Sequence, residues 1–354
     1  MGRRKDLEAE GAAGPEPAAA VPTEAAGEAE PAAMAAPAAA PAPEPVAALE
    51  RVSRLYRSGR GVEEVSLAVR AREVLGLLGP PGSGRTTLLR LLAGLLEPGT
   101  GQVVLFGQAG RAGRRAQRRR IGLQLERDAH FPALSGFHNA YFIGSLHGAP
   151  RERLLPRVDG LFDELELRGE RDLPVATLDA DARRRLSLLE ALAHGPELVL
   201  LDQPGRGLGY NSEIAARHVI AAAAARGAAV VLATSSAAEA EALCHRVAVL
   251  HRGRVLALGT REELMAELEG HVQVTCELAL PVEPEPFRAL PGVVQVAADH
   301  TTLALLLRRG GSALDAVVAQ VARAGGELVN LHVGRPNLGD VYLRHAGLRL
   351  EADA

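Results

Sequence analysis

The sequence predicts an α/β fold, a mostly parallel sheet covered on both faces, followed by a small α+β domain. Three observations carry this. Short apolar runs alternate with helical periodicity from Glu63 to Ala257, the way strands buried on both faces read. One of those strands runs into a glycine-rich turn that opens a helix, GPPGSGRT at 79–86. After about Gly270 the pattern becomes strand, short helix, paired strands, helix, strand, helix, which fits a split βαβ arrangement.

Each element follows from local pattern. Residues 1–45 are rich in Ala, Pro and Glu and contain no aromatic side chain. Such a segment cannot bury enough apolar surface to offset chain entropy, so a disordered extension is expected, with a docking tail as the alternative. Glu63–Val69 and Glu73–Leu78 read as strands. Thr86–Leu96 reads as a helix, and Gly101–Phe106 and Ile121–Leu125 as strands. Arg151–Leu167 carries Leu154, Leu155, Val158, Leu161, Phe162 and Leu165 at helical spacing. Arg183–His194 is another helix, and Leu198–Leu201 an apolar strand ending in Asp202. Helix Ser212–Arg226, strand Ala228–Ala233 and helix Ala237–Cys244 follow, then a hairpin of Val247–Leu250 with Arg254–Ala257 about Arg252-Gly253. The second domain reads as strand Val272–Leu280, helix Pro284–Leu290 and two strands within Val293–Leu307 about Asp299-His300. Helix Ser312–Ala324 with Ser312 as N-cap, strand Glu327–Val333 and helix Asn337–His345 complete it.

Composition excludes several classes of function. With 40 basic residues against 43 acidic, the chain lacks the basic excess of a nucleic-acid binder. The run Arg111–Arg120 reads as the solvated face of a hairpin or loop, with nucleic-acid or anionic-lipid contact as the alternative. Cys244 and Cys276 are the only cysteines, too few for a disulfide framework, so a reducing compartment is expected. No uncharged apolar run reaches the ~18–20 residues of a membrane span; the best, Val219–Ala233, is broken by Arg226. The charged N-terminus has no apolar signal region. The 11 histidines show no metal-ligand spacing, and no serine, Ser187 included, sits in a nucleophile elbow. A cytoplasmic chain is expected, with any membrane role exercised through a partner.

The chemistry sits in the turn. Gly79, Pro80, Pro81, Gly82, Ser83, Gly84, Arg85 and Thr86, followed by Thr87, have the spacing of G-x-x-x-x-G-K-[ST] with arginine in place of lysine. Lys5 is the only lysine in the chain, so a compositional bias toward arginine is an alternative account of Arg85. Gly82 and Gly84 allow backbone N–H groups to close on phosphate oxygens, and the helix N-terminus adds a favourable dipole. Thr86 would offer its hydroxyl to Mg²⁺, and Asp202 is placed to be the acidic partner near that ion. A glycine-rich turn without a ligand is the competing reading.

With this turn, the phrases VATLDADARRRLSLLEAL, LVLLDQPGRGL and EALCHRVAVLHRGRVLALGT resemble ABC transporter ATP-binding subunits over Leu49–Leu268. The tail GRPNLGDVYLRHAG resembles the C-terminal domain of the drug-exporter, daunorubicin-resistance type. The resemblance implies a P-loop ABC-type nucleotide-binding domain over 46–268 with a helical subdomain near 128–195, and an exporter-type domain over 269–348. It implies ATP and Mg²⁺ as cofactors, with Thr86, Glu126 and Asp202 at the metal. Its partners would be a separate transmembrane permease and a second ATP-binding subunit, with no nucleic acid and a peripheral position at the inner face of the cell membrane. Tyr56 falls where an aromatic ring stacks on adenine, worth ~1–3 kcal/mol in analogous base stacking; a core tyrosine is the alternative.

The departures from the family pattern are specific. Gln203 stands where the family has the glutamate that polarises water, a role typically worth ~10²–10⁴-fold. Ser235 stands for the switch histidine, Glu126 for a glutamine, and Gly209 for an aspartate. The family signature Leu-Ser-Gly-Gly-Gln is here Leu178-Asp179-Ala180-Asp181-Ala182. Its two carboxylates would face the ATP of the opposite subunit, and a like-charge pair at ~4 Å costs on the order of 4 kcal/mol. Three functions are therefore weighed: a nucleotide-binding export subunit with impaired hydrolysis, a scaffold that no longer binds nucleotide, and an active exporter ATPase.

Overall fold

The computed structural model describes residues 44–110, 114–310 and 312–350. The extension read over 1–45 therefore falls almost wholly outside the described residues, as does the start of the basic run at 111–113. In chain order, β1 (Ala47–Leu55) and β2 (Gly61–Val69) precede β3 (Val74–Leu78), the glycine-rich turn and α1 (Arg85–Leu92). Then come β4 (Thr100–Leu105), β5 (Gln108–Ala109), α2 (Arg114–Arg118) and β6 (Ile121–Gln124). A helical layer follows, α3 (Gly136–Leu146), α4 (Arg151–Glu164) and α5 (Ala180–Leu192). The chain returns through β7 (Leu198–Asp202), α6 (Tyr210–Ala225), β8 (Ala229–Thr234), α7 (Ala237–Leu243), β9 (Arg246–His251) and β10 (Arg254–Thr260). After α8 (Arg261–Ala266) come β11 (His271–Leu278), α9 (Glu285–Arg288), β12 (Val293–Asp299), β13 (Thr302–Arg308), α10 (Ala313–Arg323), β14 (Leu328–Gly334) and α11 (Leu338–Ala346).

Three sheets result. One is antiparallel, in the order β2-β1-β4-β5; the second has six strands, β10-β9-β3-β8-β7-β6, parallel except for β10; the third is β12-β13-β11-β14. In the third sheet all pairs are antiparallel, and β13 lies between β11 and β12, which is the split βαβ order expected. The central strands β3, β7 and β8 are buried along their whole length, as their unbroken apolar sequences require. Alternation across β3 divides two cores. Leu75 and Leu77 pack with α1 and the first sheet, while Val74 and Leu78 pack with α4, α5 and α6. The second core continues through Ala304, Leu306 and Tyr342 into the C-terminal sheet and α11. Each fully buried leucine contributes about 1.5–3 kcal/mol. Among the described residues no helix is long and apolar enough to cross a membrane.

Several element limits differ from the sequence reading. Helix α1 stops at Leu92 rather than Leu96, because Gly94 takes a left-handed φ of 66° just past its end. Helix α5 starts three residues early, at Ala180, because Asp179 caps it. The basic run contains the helix α2 rather than only a hairpin or loop face. Helix α3 was not expected, since Gly136 and Gly144 obscure its pattern, yet Ser135 caps it. Helix α8 is likewise additional, opened by a Thr260–Glu263 capping box. Ser312 does occupy the N-cap of α10, but its side chain makes no capping bond.

Candidate functional site

The turn is shaped by its surroundings. Gly79 leaves β3 with its N–H donating to Thr234 O at 3.3 Å, and a Cβ there would lie 2.4 Å from Leu250 O. Gly84 has a φ of 105° and forms the N-cap of α1, where a Cβ would meet Val62 at 2.7 Å. No side chain caps α1, so its first N–H groups lack the usual side-chain acceptor and suit an anion. The Ser83 hydroxyl beside them is buried and has no hydrogen-bond partner.

A cavity of about 500 Å³ opens over this turn. Pro81, Gly82, Ser83, Gly84, Arg85, Thr86 and Thr87 line one side, and Tyr56, Glu126, Gln203 and Arg206 the others. Tyr56 follows β1 and is half-buried on the cavity wall, outside the apolar cores. Gly79 and Pro80 support the turn from behind without lining the cavity. Ser235 does not reach it either. It is buried, its hydroxyl unpartnered, and it lines a separate cavity of about 410 Å³ with Asn337 and Asp340 near α11. In that second cavity, burial pushes the Asp340 carboxyl up to about 6.

Asp202 ends β7 in a fully buried position. Burial raises its pKa, and the neighbouring Thr86 hydroxyl and Arg85 guanidinium pull it back. Neither carboxylate oxygen meets a donor at full hydrogen-bonding geometry. A buried carboxylate with unsatisfied oxygens beside a threonine hydroxyl fits a hard cation such as Mg²⁺, which is commonly held by one or two carboxylates with substrate phosphates. Glu126, the third residue expected there, is instead paired with Arg206 at 2.6 Å. Gln203 follows Asp202 with a left-handed φ of 52°, a strained setting for a non-glycine residue that costs on the order of 1–3 kcal/mol. Its amide oxygen is buried without a partner.

The signature residues are occupied within the chain. Leu178 and Ala182 are buried, and Ala180 begins α5. The Asp179 carboxylate accepts from Ala182 N–H at 2.7 Å as the N-cap. Asp181 accepts from Gly209 N–H at 2.8 Å, Ser212 Oγ at 2.8 Å and Arg185 Nε at 2.7 Å. Burial alone would raise the Asp181 pKa, but these three donors outweigh it and hold the carboxyl below its ordinary value.

The sequence reading missed Arg184. This buried side chain donates to Leu125 O at 2.8 Å, to Asp128 at 3.2 Å, to Gln203 O at 2.7 Å and also to Asp202 O. One guanidinium thus gathers the ends of β6 and β7 beside the cavity. The only signal available was the triple arginine 183–185 after the signature, which in sequence reads as part of a helix with no separate role.

The chain is similar to known proteins in sequence and in fold. The ABC transporter family profile matches residues 62–206. A daunorubicin resistance ATP-binding protein, DrrA3 of Streptomyces coeruleorubidus, is 32% identical over 297 residues, covering 82% of this chain and 93% of the relative. A Nod factor export ATP-binding protein I of Burkholderia lata is 30% identical over 295 residues, with coverage of 82% and 93%. Among solved structures, the ATP-binding subunit of an ABC transporter superposes with a TM-score of 0.59 at 24% identity, over 63% of this chain and 92% of that one. An ATP-binding cassette solved as a dimer with ADP and Pi gives 0.55 at 21% identity, over 60% and 98%. The two structures speak for the fold. The relatives, matched along most of both lengths, go further, and with the phosphate-shaped turn ahead of α1 they place this chain in the ABC transporter ATP-binding protein family.

Proposed function

We propose that this chain is the ATP-binding subunit of an export system, that it works with a separate membrane permease, and that its own ATP hydrolysis is impaired. The observation that carries the last point is Gln203, a carboxamide standing next to Asp202 on the wall of the cavity. An amide orients water but has no useful basicity, so the ~10²–10⁴-fold of general-base assistance is lost. The names of the relatives support the export role.

In this reading the α1 N–H groups and Ser83 hold phosphate oxygens, and Arg85 neutralises their charge as a planar fork rather than a point. Tyr56 offers its ring to the base. Asp202 and Thr86 would hold Mg²⁺, which when bound screens phosphate charge. Ser235, turned toward the second cavity, leaves the phosphates without the imidazole of the family. A second ATP-binding subunit, of this or another chain, would face α5. Asp179 and Asp181 are spent on internal bonds there, so the signature offers its neighbour's nucleotide little.

An apolar surface supports the permease contact. Phe131, Leu134, Phe142, Leu146 and Leu173 are 39–61% exposed, with Phe131 and Phe142 edge to face at 5.2 Å, all on the α3 side of the helical layer. Exposed apolar patches of this kind mark protein contacts, and the position would be peripheral, at the inner face of the membrane.

The test is a thermal-shift titration with Mg-ATP beside a phosphate-release assay. Ligand at ~100 times Kd stabilises by about 2.7 kcal/mol. A saturable shift with little phosphate release is expected, and Gln203→Glu should raise release. Rapid release by the unmodified protein would restore the active ATPase; no shift would leave a scaffold. Phe142→Asp with Leu146→Asp should abolish copurification with the permease.

A further inference from the structure

Resting on the reading of the cavity as a nucleotide site, we propose that Arg206 is a second phosphate-binding guanidinium, held in reserve by Glu126, that lets the site take a nucleoside triphosphate without a divalent cation.

The argument begins with charge. The residues lining the cavity include three guanidinium groups, Arg60, Arg85 and Arg206, against one carboxylate, Glu126. The buried Asp202 beside Thr86 and Arg85 adds a second carboxylate, so the site carries three positive groups against two negative before any metal arrives. Arg206 is held by a carboxylate of the same wall, Glu126, at 2.6 Å. That pair is about half exposed on both sides, 53% and 46%. Such a pair contributes little net stability, so an arriving polyanion can displace Glu126 from Arg206 at small cost. The phosphate would then meet a planar fork of donors, the geometry that favours arginine at phosphates.

The second observation is how Arg206 is carried. It sits in a short segment gripped at both ends by the same helix. Arg184 of α5 donates to Gln203 O at 2.7 Å, at the start. Asp181, one turn earlier, accepts from Gly209 N–H and the Ser212 hydroxyl, both at 2.8 Å, at the far end. Between them the chain folds tightly, with Arg206 N–H on Gln203 O at 3.1 Å and Leu208 N–H on Gly205 O at 3.2 Å. Arg206 is thus presented on a fixed base, and only its side chain has to move, which is the preorganisation that favours binding. A surface arginine on a loose loop would have neither the clamp nor the cavity.

The experiment is calorimetric titration of the full chain with ATP and ADP, in Mg²⁺ and separately in EDTA. In EDTA the unmodified protein should bind ATP within about threefold of its Mg²⁺ affinity, and ADP more weakly, since a second guanidinium favours the longer polyphosphate. Arg206→Ala should weaken ATP in EDTA by about tenfold, the loss of one charge-assisted contact, with a smaller loss in Mg²⁺. Arg206→Lys should recover only part, and Glu126→Gln, which releases the arginine, should tighten ATP in EDTA. Unchanged EDTA affinity in Arg206→Ala overturns the proposal, and so does binding that requires Mg²⁺ absolutely, which leaves the nucleotide reading intact. No binding in either medium overturns both. Melting curves of each variant guard against misfolding, to which an exposed side chain contributes little.

Discussion

Two helix N-termini of this molecule, those of α1 and α5, are finished in opposite ways. Helix α1 begins at a glycine with no side-chain cap, the arrangement that the proposed phosphate site uses. Helix α5 begins at Asp179, which caps it, and Asp181 in its first turn is tied to Gly209, Ser212 and Arg185. Both ends have the dipole that attracts anions. Only α5 has a side chain as its cap, so the difference lies in which side chains reach the N–H groups first. An end satisfied from within contributes to stability, and an end left open contributes to binding.

The largest test of that division is at α1. Gly84→Ala puts a Cβ into a left-handed position 2.7 Å from Val62 and should weaken ATP binding by about 100-fold, roughly the loss of two phosphate contacts. The equivalent change at α5 should do the reverse. Asp181→Ala strands the donors of Gly209, Ser212 and Arg185 and should cost about 2–3 kcal/mol of stability in a denaturant melt, with ATP affinity in Mg²⁺ changed far less. If Asp181→Ala abolishes nucleotide binding while leaving stability intact, the contrast between the two ends fails.

How much of this could be read beforehand follows from sequence distance. The α1 end is spelled out in eight consecutive residues, and a strand on one side and a helix on the other identify it. The α5 end was read as two misplaced negative charges, because two of the three donors that satisfy Asp181 lie 28 and 31 residues away, and only Arg185 is close in sequence. Arg184 was hidden for the same reason, with partners 56 to 59 residues before it and 18 to 19 after. The fold class was legible because burial on both faces writes itself as uninterrupted apolar runs. Helix α3 was not, since its glycines let it pack closely, Gly144 against Leu154, at the expense of pattern. The capping box of α8 was available in Thr260 and Glu263.

Acid sharpens the comparison next. His147 and His194 stack at 3.9 Å beside the helical layer, remote in sequence from the α1 turn. Burial first, then His147 and Arg157, lower the His194 pKa to about 3, against an ordinary value near 6.5. Between these limits the unfolded chain binds the proton and the folded one does not, so stability falls as pH drops from about 6.5 toward 3. The loss is about 2 kcal/mol at pH 5 for this group alone. Hydrogen exchange should show α3 and α5 loosening before α1, and His194→Phe should flatten the pH dependence. A dependence that survives the substitution would place the acid-sensitive group elsewhere.

The smallest effect isolates the cap itself. Asp179→Ala leaves the Asp181 bonds in place and removes one acceptor, that of Ala182 N–H, so α5 should lose about 1 kcal/mol, a typical N-cap cost. Asp179→Ser should restore nearly all of it, because serine caps almost as well as aspartate while removing the charge. That pair of variants separates two properties that Asp179 combines. If capping is its whole contribution, the serine variant matches the parent in melting temperature and in ATP-dependent association with a second subunit. If charge at the α5 end also opposes a neighbour's nucleotide, the serine variant keeps the stability and gains association, measured by light scattering with and without ATP. The repulsion expected from the sequence is then a property of Asp179 alone, since Asp181 is already turned inward onto Arg185, Gly209 and Ser212.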